Sequence, residues 1–358
     1  MTAERILVVR LAGIGDVVMA STVLPKIREQ WPSAVVHWVC GNTAAPLVEQ
    51  FDGVDRVISV NETRLFRGGI AGQLGEIISL WTRILGGGYT RVLLLHVDSR
   101  YRVLVTPLLR AKISVLSRRD AHGRMNPVPG RYFGDEYARL VDSSESLGPL
   151  VGHAPLVSLR SPLEVPHHSG RVRVALIPGG TKNVLRESAL KRWPVAGYVE
   201  VARALLAEGC EVLLAGDAAD AWVRPSFAGL DVSDRIGATT LPEIVSLFAG
   251  CDLVISHDTG PMHLARLARA PVLALFGPTI PAHFLPEDDR TTVLWGGEAL
   301  SCRPCYDGRE FAKCGDNRCM SSISADVVIR TARTMLAARA AAIPLPPTTR
   351  TPTENAPR

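Results

Sequence analysis

The chain predicts an α/β protein made of two parallel-sheet domains facing each other across a cleft. Two observations carry this expectation. Short apolar, β-branched runs alternate with helix-period segments in both halves. Between the halves, Val165-Pro-His-His-Ser-Gly170 has few apolar residues and reads as an interdomain linker. The 358 residues suit two domains of ordinary size, and 47% apolar with 21% charged residues is the composition of a globular protein with a sizeable core.

The elements follow in order. In the first half Arg5–Val9 is a strand, Arg10–Gly15 a loop, and residues 16–30 a helix ended near Trp31-Pro32. Strands at 34–39 and 91–96 come after it. In the second half 172–177 is a buried strand, 194–208 a helix, 211–215 a strand, Leu241–Ala249 a helix, 253–256 a strand, 261–269 a helix and 271–276 a strand. Such an alternation makes two Rossmann-like domains. A last Ala/Arg-rich helix spans 324–342, and the Pro/Thr-rich residues 343–358 read as a disordered tail. The expected domains are therefore 1–165 and 171–323, followed by that helix and tail.

Bulk properties narrow the function classes. The net charge of +5 is a mild basic bias that suits an anionic partner without requiring nucleic acid. No apolar run approaches the ~18 residues of a membrane helix, and the N-terminus opens directly into a strand without the pattern of a secretory signal. A cytoplasmic protein is expected, so the seven Cys are unlikely to form a disulfide framework.

In open α/β sheets ligands sit beyond the carboxyl ends of the strands. The loops to inspect are Arg10–Asp16, Pro178–Lys191, Gly216–Asp220 and His257–His263. The last is the most informative. In Asp258-Thr-Gly-Pro-Met-His263, Thr259 or Asp258 can cap a helix, Gly260 frees the backbone, and Pro261 suits the first helical position. Free N–H groups at such a helix start, with His263 nearby, form a seat for a diphosphate. A capped helix of any α/β protein is the plainer alternative.

Gly13-Ile14-Gly15-Asp16 lacks the third glycine and the downstream acid of a dinucleotide fingerprint, which disfavours a nicotinamide site and a dehydrogenase. Asp16 is either a helix-start acid or a carboxylate at the cleft mouth able to take a proton from an attacking hydroxyl. Gly179 and Gly180 allow close approach to a phosphate. Lys191 supplies charge that could offset a departing diphosphate, unless Lys191-Arg192 is only a solvated basic patch. Asp217 and Asp220 stand where an acid often meets ribose hydroxyls; a surface turn is the alternative.

Together, Arg10-Leu-Ala-Gly-Ile-Gly-Asp16, Pro178-Gly-Gly180, Lys191-Arg-Trp-Pro194, Ser256-His-Asp-Thr-Gly-Pro-Met-His263 and Phe276-Gly-Pro-Thr279 resemble glycosyltransferase family 9, the ADP-heptose:lipopolysaccharide heptosyltransferases and relatives. The resemblance covers about residues 5–330. It implies a GT-B fold and an inverting, metal-independent transfer of heptose from ADP-heptose to an acceptor hydroxyl. The N-terminal domain would bind the acceptor and the C-terminal domain the nucleotide sugar. By matching position, Asp16 corresponds to the proposed general base, and Lys191 and Asp258-Thr259-Gly260 to donor contacts. His263 corresponds to a residue near the diphosphate, and Gly15, Gly179, Gly180 and Thr181 lie in or beside phosphate-loop regions. This chain carries extra residues, Asn183–Leu190, before Lys191. Asp217 or Asp220 matches the ribose-binding acid more loosely.

The acceptor domain holds Arg100, Arg102, Arg110, Lys112, Arg118, Arg119, Arg124 and Arg131 against Asp120. That suits a lipopolysaccharide inner-core or other anionic acceptor, or peripheral contact with the inner face of the cytoplasmic membrane; an ordinary solvated surface is the alternative. Transfer to a soluble or protein acceptor, or epimerisation of the nucleotide sugar, stays open. Cys302, Cys305, Cys314 and Cys319 form C-x2-C-x8-C-x4-C, a pattern for a structural zinc or iron, with two disulfides or four free thiols as the alternatives. Cys40, Cys210 and Cys251 read as small core residues.

Overall fold

A computed structural model describes residues 3–116, 131–141, 152–161, 170–306 and 311–342. The architecture is GT-B, two α/β units each built on a wholly parallel sheet. The first sheet contains β1 (Arg5–Val9), β2 (Val35–Gly41), β3 (Arg56–Val60), β4 (Arg91–Leu94) and β5 (Lys112–Val115), in the order β3-β2-β1-β4-β5. The second contains β6 (Arg173–Ile177), β7 (Glu211–Leu214), β8 (Ser233–Asp234), β9 (Leu253–His257), β10 (Val272–Phe276) and β11 (Thr291–Trp295), ordered β11-β10-β9-β6-β7-β8.

The two sheet orders locate the cleft. In the first sheet the order reverses between β1 and β4; in the second it reverses between β6 and β9. Helices leave opposite faces of the sheet on either side of such a point, so a crevice opens beyond the strand ends there. The loops after β1, β6 and β9 are those that carry Asp16, the Gly179-Gly180 pair and Asp258–His263. The central strands are buried along almost their whole length, which is why they read as unbroken apolar runs.

The two units touch. Phe133, on the short helix Phe133–Ala138 of the first unit, lies 5.5 Å from the Phe284 ring of the second, and one buried apolar cluster runs from Ile6 and Trp38 through to Met262 and Phe276. The C-terminal helix Ala325–Ala342 returns to the second unit. There Arg339 pairs with Asp252 at 3.1 Å, and Val328 and Ala332 are buried.

The single helix expected over 16–30 is two, Ile14–Ala20 and Val23–Gln30. The break falls at Ser21 and Thr22, whose buried hydroxyls do other work. Thr22 donates to the carbonyls of Met19 (2.9 Å) and Gly134 (2.7 Å), and Ser21 accepts from the Val157 N–H at 3.3 Å. The expected 91–96 strand stops at Leu94, freeing His96 for the cleft. The linker residues 165–169, the cations Arg118, Arg119 and Arg124 with Asp120, and the tail 343–358 lie outside the described residues.

Candidate active site

The loop after β1 turns sharply. Ala12 and Gly13 both have positive φ (52° and 75°), and Gly13 is the residue before the first turn of helix Ile14–Ala20. Asp16 is therefore a first-turn acid and not the cap. The left-handed Ala12 is held by Glu62, whose Oε1 accepts the Ala12 N–H at 2.5 Å, and by His96, whose Nε2 accepts the Leu11 N–H at 2.9 Å. Burial raises the Glu62 carboxyl and lowers His96 well below its usual value, so the imidazole is neutral. It stacks on Tyr101 with centroids 3.7 Å apart.

Arg10 is buried at the end of β1, its guanidinium 5.5 Å over the Tyr137 ring. It donates to the Leu95 carbonyl and pairs with Asp16 Oδ2 at 2.8 Å. The Asp16 side chain nonetheless remains 37% exposed. A carboxylate with one oxygen fixed by a cation and the side chain still partly exposed is aimed without being used up.

Across the cleft, Thr259 occupies the cap position of helix Gly260–Leu267 but makes no cap hydrogen bond with its side chain. Its Oγ1 accepts the Thr181 N–H at 3.0 Å instead, so the helix start is left with uncapped N–H donors. Asp258 is buried and receives Lys191 Nζ at 2.8 Å and the Thr279 hydroxyl at 2.8 Å, both on Oδ2. Burial alone would raise this carboxyl; the Lys191 charge and the two hydrogen bonds hold it below the usual carboxylate range. Lys191 also stands 4.9 Å from the centre of the Phe284 ring.

The extra residues before Lys191 fold back on themselves. Lys182 pairs with Glu187 in a short antiparallel bridge, Asn183 Oδ1 accepts the N–H groups of Leu185 and Arg186, and the Ser188 N–H returns to the Thr181 carbonyl at 2.8 Å. The insertion thus closes as a small loop, and Ala189–Lys191 brings the lysine to Asp258.

The glycine pair needs its glycines. Gly180 has φ +86°, and a Cβ there would lie 2.6 Å from Thr259 Oγ1. Asp220 accepts the Gly180 N–H at 2.6 Å and the Asp217 N–H at 3.0 Å. Asp217 in turn caps Ala219, and the two acids form a reciprocal capping box. Asp220 is therefore a buried brace between two cleft loops, with its carboxyl raised by burial, while Asp217 is exposed at the rim.

The halves meet at Gly15. A Cβ there would fall 2.5 Å from His263 Cδ2, and Gly260 faces Ile14 on the other side. His263 is buried, and burial lowers its pKa to about 4, so it is neutral; its Nδ1 has no partner among the described residues. The Thr181 hydroxyl is likewise buried without one. Both orphaned groups lie on the cleft loops, where a polar ligand would satisfy them.

The residues singled out from sequence thus gather at one cleft, and the Cys group lines a pocket beside it with Leu190 and Pro278, the neighbours of Lys191 and Thr279. Arg10, Glu62, His96, Thr279 and Arg192, which donates to the Gly180 carbonyl at 2.8 Å, were not singled out as site residues. Arg10 and Thr279 lie inside the motifs, and His96 at a strand end. Glu62 carries no signal beyond opening a helix.

All seven cysteines are free thiols, and Cys40, Cys210 and Cys251 are buried. Cys302, Cys305, Cys314 and Cys319 line one pocket. Burial and the neighbouring thiols raise Cys305 and Cys319. Among the described residues no three His, Cys, Asp or Glu groups are close enough together to hold a metal.

This arrangement agrees with what the chain resembles. The family model described as "Glycosyltransferase family 9 (heptosyltransferase)" matches residues 159–314. Over those residues the chain is similar to glycosyltransferase family 9. The proteins it matches are named as glycosyltransferases. Lipopolysaccharide core heptosyltransferase OpsX of Haemophilus influenzae is 22% identical over 310 residues, 81% of this chain and 84% of that protein. Lipooligosaccharide heptosyltransferase 2 of the same organism is 35% identical over 122 residues, 32% of this chain and 35% of that one. Among solved structures, the E. coli ADP-heptose lps heptosyltransferase II superposes with a TM-score of 0.72 at 19% identity, covering 94% of this chain and 99% of that one.

Proposed function

We propose that the chain is a family 9 enzyme that moves a heptose from ADP-heptose to a hydroxyl of a lipopolysaccharide inner-core acceptor, with inversion and without a catalytic metal. The observation that carries the reading is the contact between the two loops. The Asp16 turn abuts the uncapped helix start at Gly260, with Gly15 against His263. The proposed base and the proposed diphosphate seat then lie on segments in contact with each other.

In this reading the ADP phosphates lie against the N–H groups of helix Gly260–Leu267 and the Gly179–Thr181 loop, with the Thr181 hydroxyl and His263 completing the contacts. Asp217, at the rim, is positioned for the ribose. The acceptor hydroxyl gives its proton to the free oxygen of Asp16 and attacks the anomeric carbon from the face opposite the phosphate. The new C–O bond forms as the bond to the diphosphate breaks, and ADP leaves with the electron pair. Lys191 and the helix N–H groups stabilise that charge. The names of the similar proteins, lipopolysaccharide and lipooligosaccharide heptosyltransferases, support the donor and acceptor classes.

Asp16→Asn keeps the Arg10 contact and the shape of the loop. It should bind ADP normally and lose turnover by about 10²–10⁴-fold, measured as ADP release with a lipid A–sugar-acid acceptor. Turnover near wild type would remove Asp16 as the base. Donor incubated alone should give no epimer.

The four-cysteine pocket supports a second, structural reading: a zinc or iron held by Cys302, Cys305, Cys314 and Cys319. Thiolates are the donor set such a site needs, but their spacing here is that of free thiols, so metal binding would have to draw the sulfurs together. Elemental analysis of protein purified without chelator should show about one metal per chain; its absence ends this reading.

A further inference from the structure

Helix Gly69–Leu85 packs on the first sheet through Glu76, Leu80 and Ile84, yet its opposite, exposed face is not a charged one. Ile70 (80% exposed), Leu74, Ile78 and Leu85 recur along it, with only small uncharged residues between them. The helix has two charged residues, and both turn inward. Glu76 accepts the Asn61 N–H, and Arg83 donates to the carbonyls of Ser59 and Ser79. A surface helix normally keeps its charges outside; this one does the reverse.

The patch continues onto the neighbouring segment. Trp81 Nε1 donates to the Val103 carbonyl at 3.0 Å, joining the helix to the stretch that exposes Val103, Leu109 and Ile113. Seven of the ten large apolar side chains that stand exposed among the described residues fall between 70 and 113. Single exposed apolar residues need no explanation, but a contiguous set does.

Charge identifies what covers it. From residue 61 to 116 every charged residue that stands exposed is a cation: Arg64, Arg67, Arg100, Arg102, Arg110 and Lys112. The acids of this region are engaged, Glu62 by the Ala12 N–H, Glu76 by the Asn61 N–H and Asp98 by Arg100. No helix among the described residues is long and apolar enough to cross a membrane. An apolar stripe edged by cations lies in the interface of an anionic bilayer instead. We infer that the outer face of helix Gly69–Leu85, with Val103–Ile113, docks the enzyme on an anionic lipid surface.

The position suits the reaction. Helix Glu62–Arg67 runs through Gly68 into the docking helix, and Glu62 at its start holds the Ala12 turn that carries Asp16. A lipid-anchored acceptor would therefore reach the cleft from the edge that the membrane covers. This deepens the proposed function by assigning the surface through which its acceptor is met.

The test is sedimentation of the full chain with vesicles, read separately from transfer. Wild type should pellet with vesicles containing phosphatidylglycerol and not with phosphatidylcholine alone. Leu74→Ser with Ile78→Ser, both exposed, should keep the melting temperature and lower binding by about tenfold or more. Arg67→Ser and Arg102→Ser should each cost about fivefold, with a loss that grows weaker at high salt. The Leu74/Ile78 variant should transfer to a delipidated soluble acceptor at the wild-type rate and slow only on vesicle-borne acceptor. Wild type that ignores anionic vesicles, a variant that binds them equally, or a dimer that the Leu74/Ile78 variant dissociates would each overturn the proposal. Absence of heptosyl transfer to any acceptor, with vesicle binding intact, would instead overturn the proposed reaction and leave the docking surface standing.

Discussion

The two cleft loops handle charge in opposite ways. On the first sheet, Asp16 is more than a third exposed and meets one buried cation, Arg10. On the second, Asp258 is 4% exposed and Lys191 15%, with a third partner in Thr279. An exposed carboxylate with one committed oxygen can exchange a proton with a substrate. A buried carboxylate that takes a lysine and a hydroxyl on one oxygen is a fixed piece of electrostatics. On the proposed reaction, the difference separates the group that would take the proton from the buried groups on the donor side, and it can be broken experimentally.

The largest expected contrast is between turnover and stability in Asp16→Asn. The 10²–10⁴-fold loss of turnover should come with a smaller stability loss than that of Lys191→Met, because Asn still accepts from the buried Arg10, which keeps its bond to the Leu95 carbonyl. Urea unfolding beside the kinetic assay would show it, and a large destabilisation would mean that Asp16 is structural.

Lys191→Met should do the reverse in stability. It leaves Asp258 buried with only a hydroxyl for company, which costs about 3–5 kcal/mol. A midpoint in urea within error of wild type would mean that the Asp258 carboxylate is solvated after all.

Gly15→Ala sharpens the comparison at the point of contact. The added methyl group would stand 2.5 Å from His263, so either the ring or the two domains must move, at about 1–3 kcal/mol. Transfer should fall while ADP affinity changes less, and His263→Ala in the same chain should restore part of it. No rescue would place the fault elsewhere in the loop.

The smallest expected effect is with pH. Burial lowers His263 to about 4 and His257, which meets the Tyr198 hydroxyl at 3.0 Å, to about 3. Both are neutral when folded and bind protons more readily when unfolded, near pH 6.5. Stability from them is therefore complete above about pH 6.5 and is lost as pH falls, by about 1.4 kcal/mol per pH unit per imidazole until each folded value is passed. Thermal midpoints at pH 7.5 and 5.5 should differ in that direction, and His263→Asn should flatten part of the slope.

How much of this was legible in the chain depends on burial. Strands β1, β6, β9 and β10 sit inside their sheets and announce themselves as RILVV, RVALI, LVISH and VLALF. Strands β3, β5, β8 and β11, which received no assignment from sequence, lie at or beside sheet edges and are partly exposed. Edge strands need fewer apolar residues, so their pattern fades into that of loops. The helix expected across 16–30 fails for a different reason. Ser21 and Thr22 have ordinary helical neighbours, and only contacts to Gly134 and Val157, more than a hundred residues away, make the break.

The site divides in the same manner. Asp16, Gly180, Asp258 and His263 fall in glycine-bearing loops or helix starts that follow strands, and Lys191 in the Lys-Arg-Trp-Pro segment before a helix, so local chemistry marks them. Glu62, which supports the Asp16 turn, and Asp220, which ties the Gly180 loop to the Asp217 turn, act through partners 50 and 40 residues away.

The sequence by itself determined the alternation of strands and helices, the family resemblance, and the loops that line the cleft, because each is written in short-range patterns of apolar, glycine and capping residues. Only the tertiary structure decided that Asp16 leans on Arg10 while Asp258 is spent on Lys191, and that one helix turns an uncharged face outward. Hydrogen bonds, ion pairs and exposure depend on which distant residues arrive at the same place, and no local pattern records that.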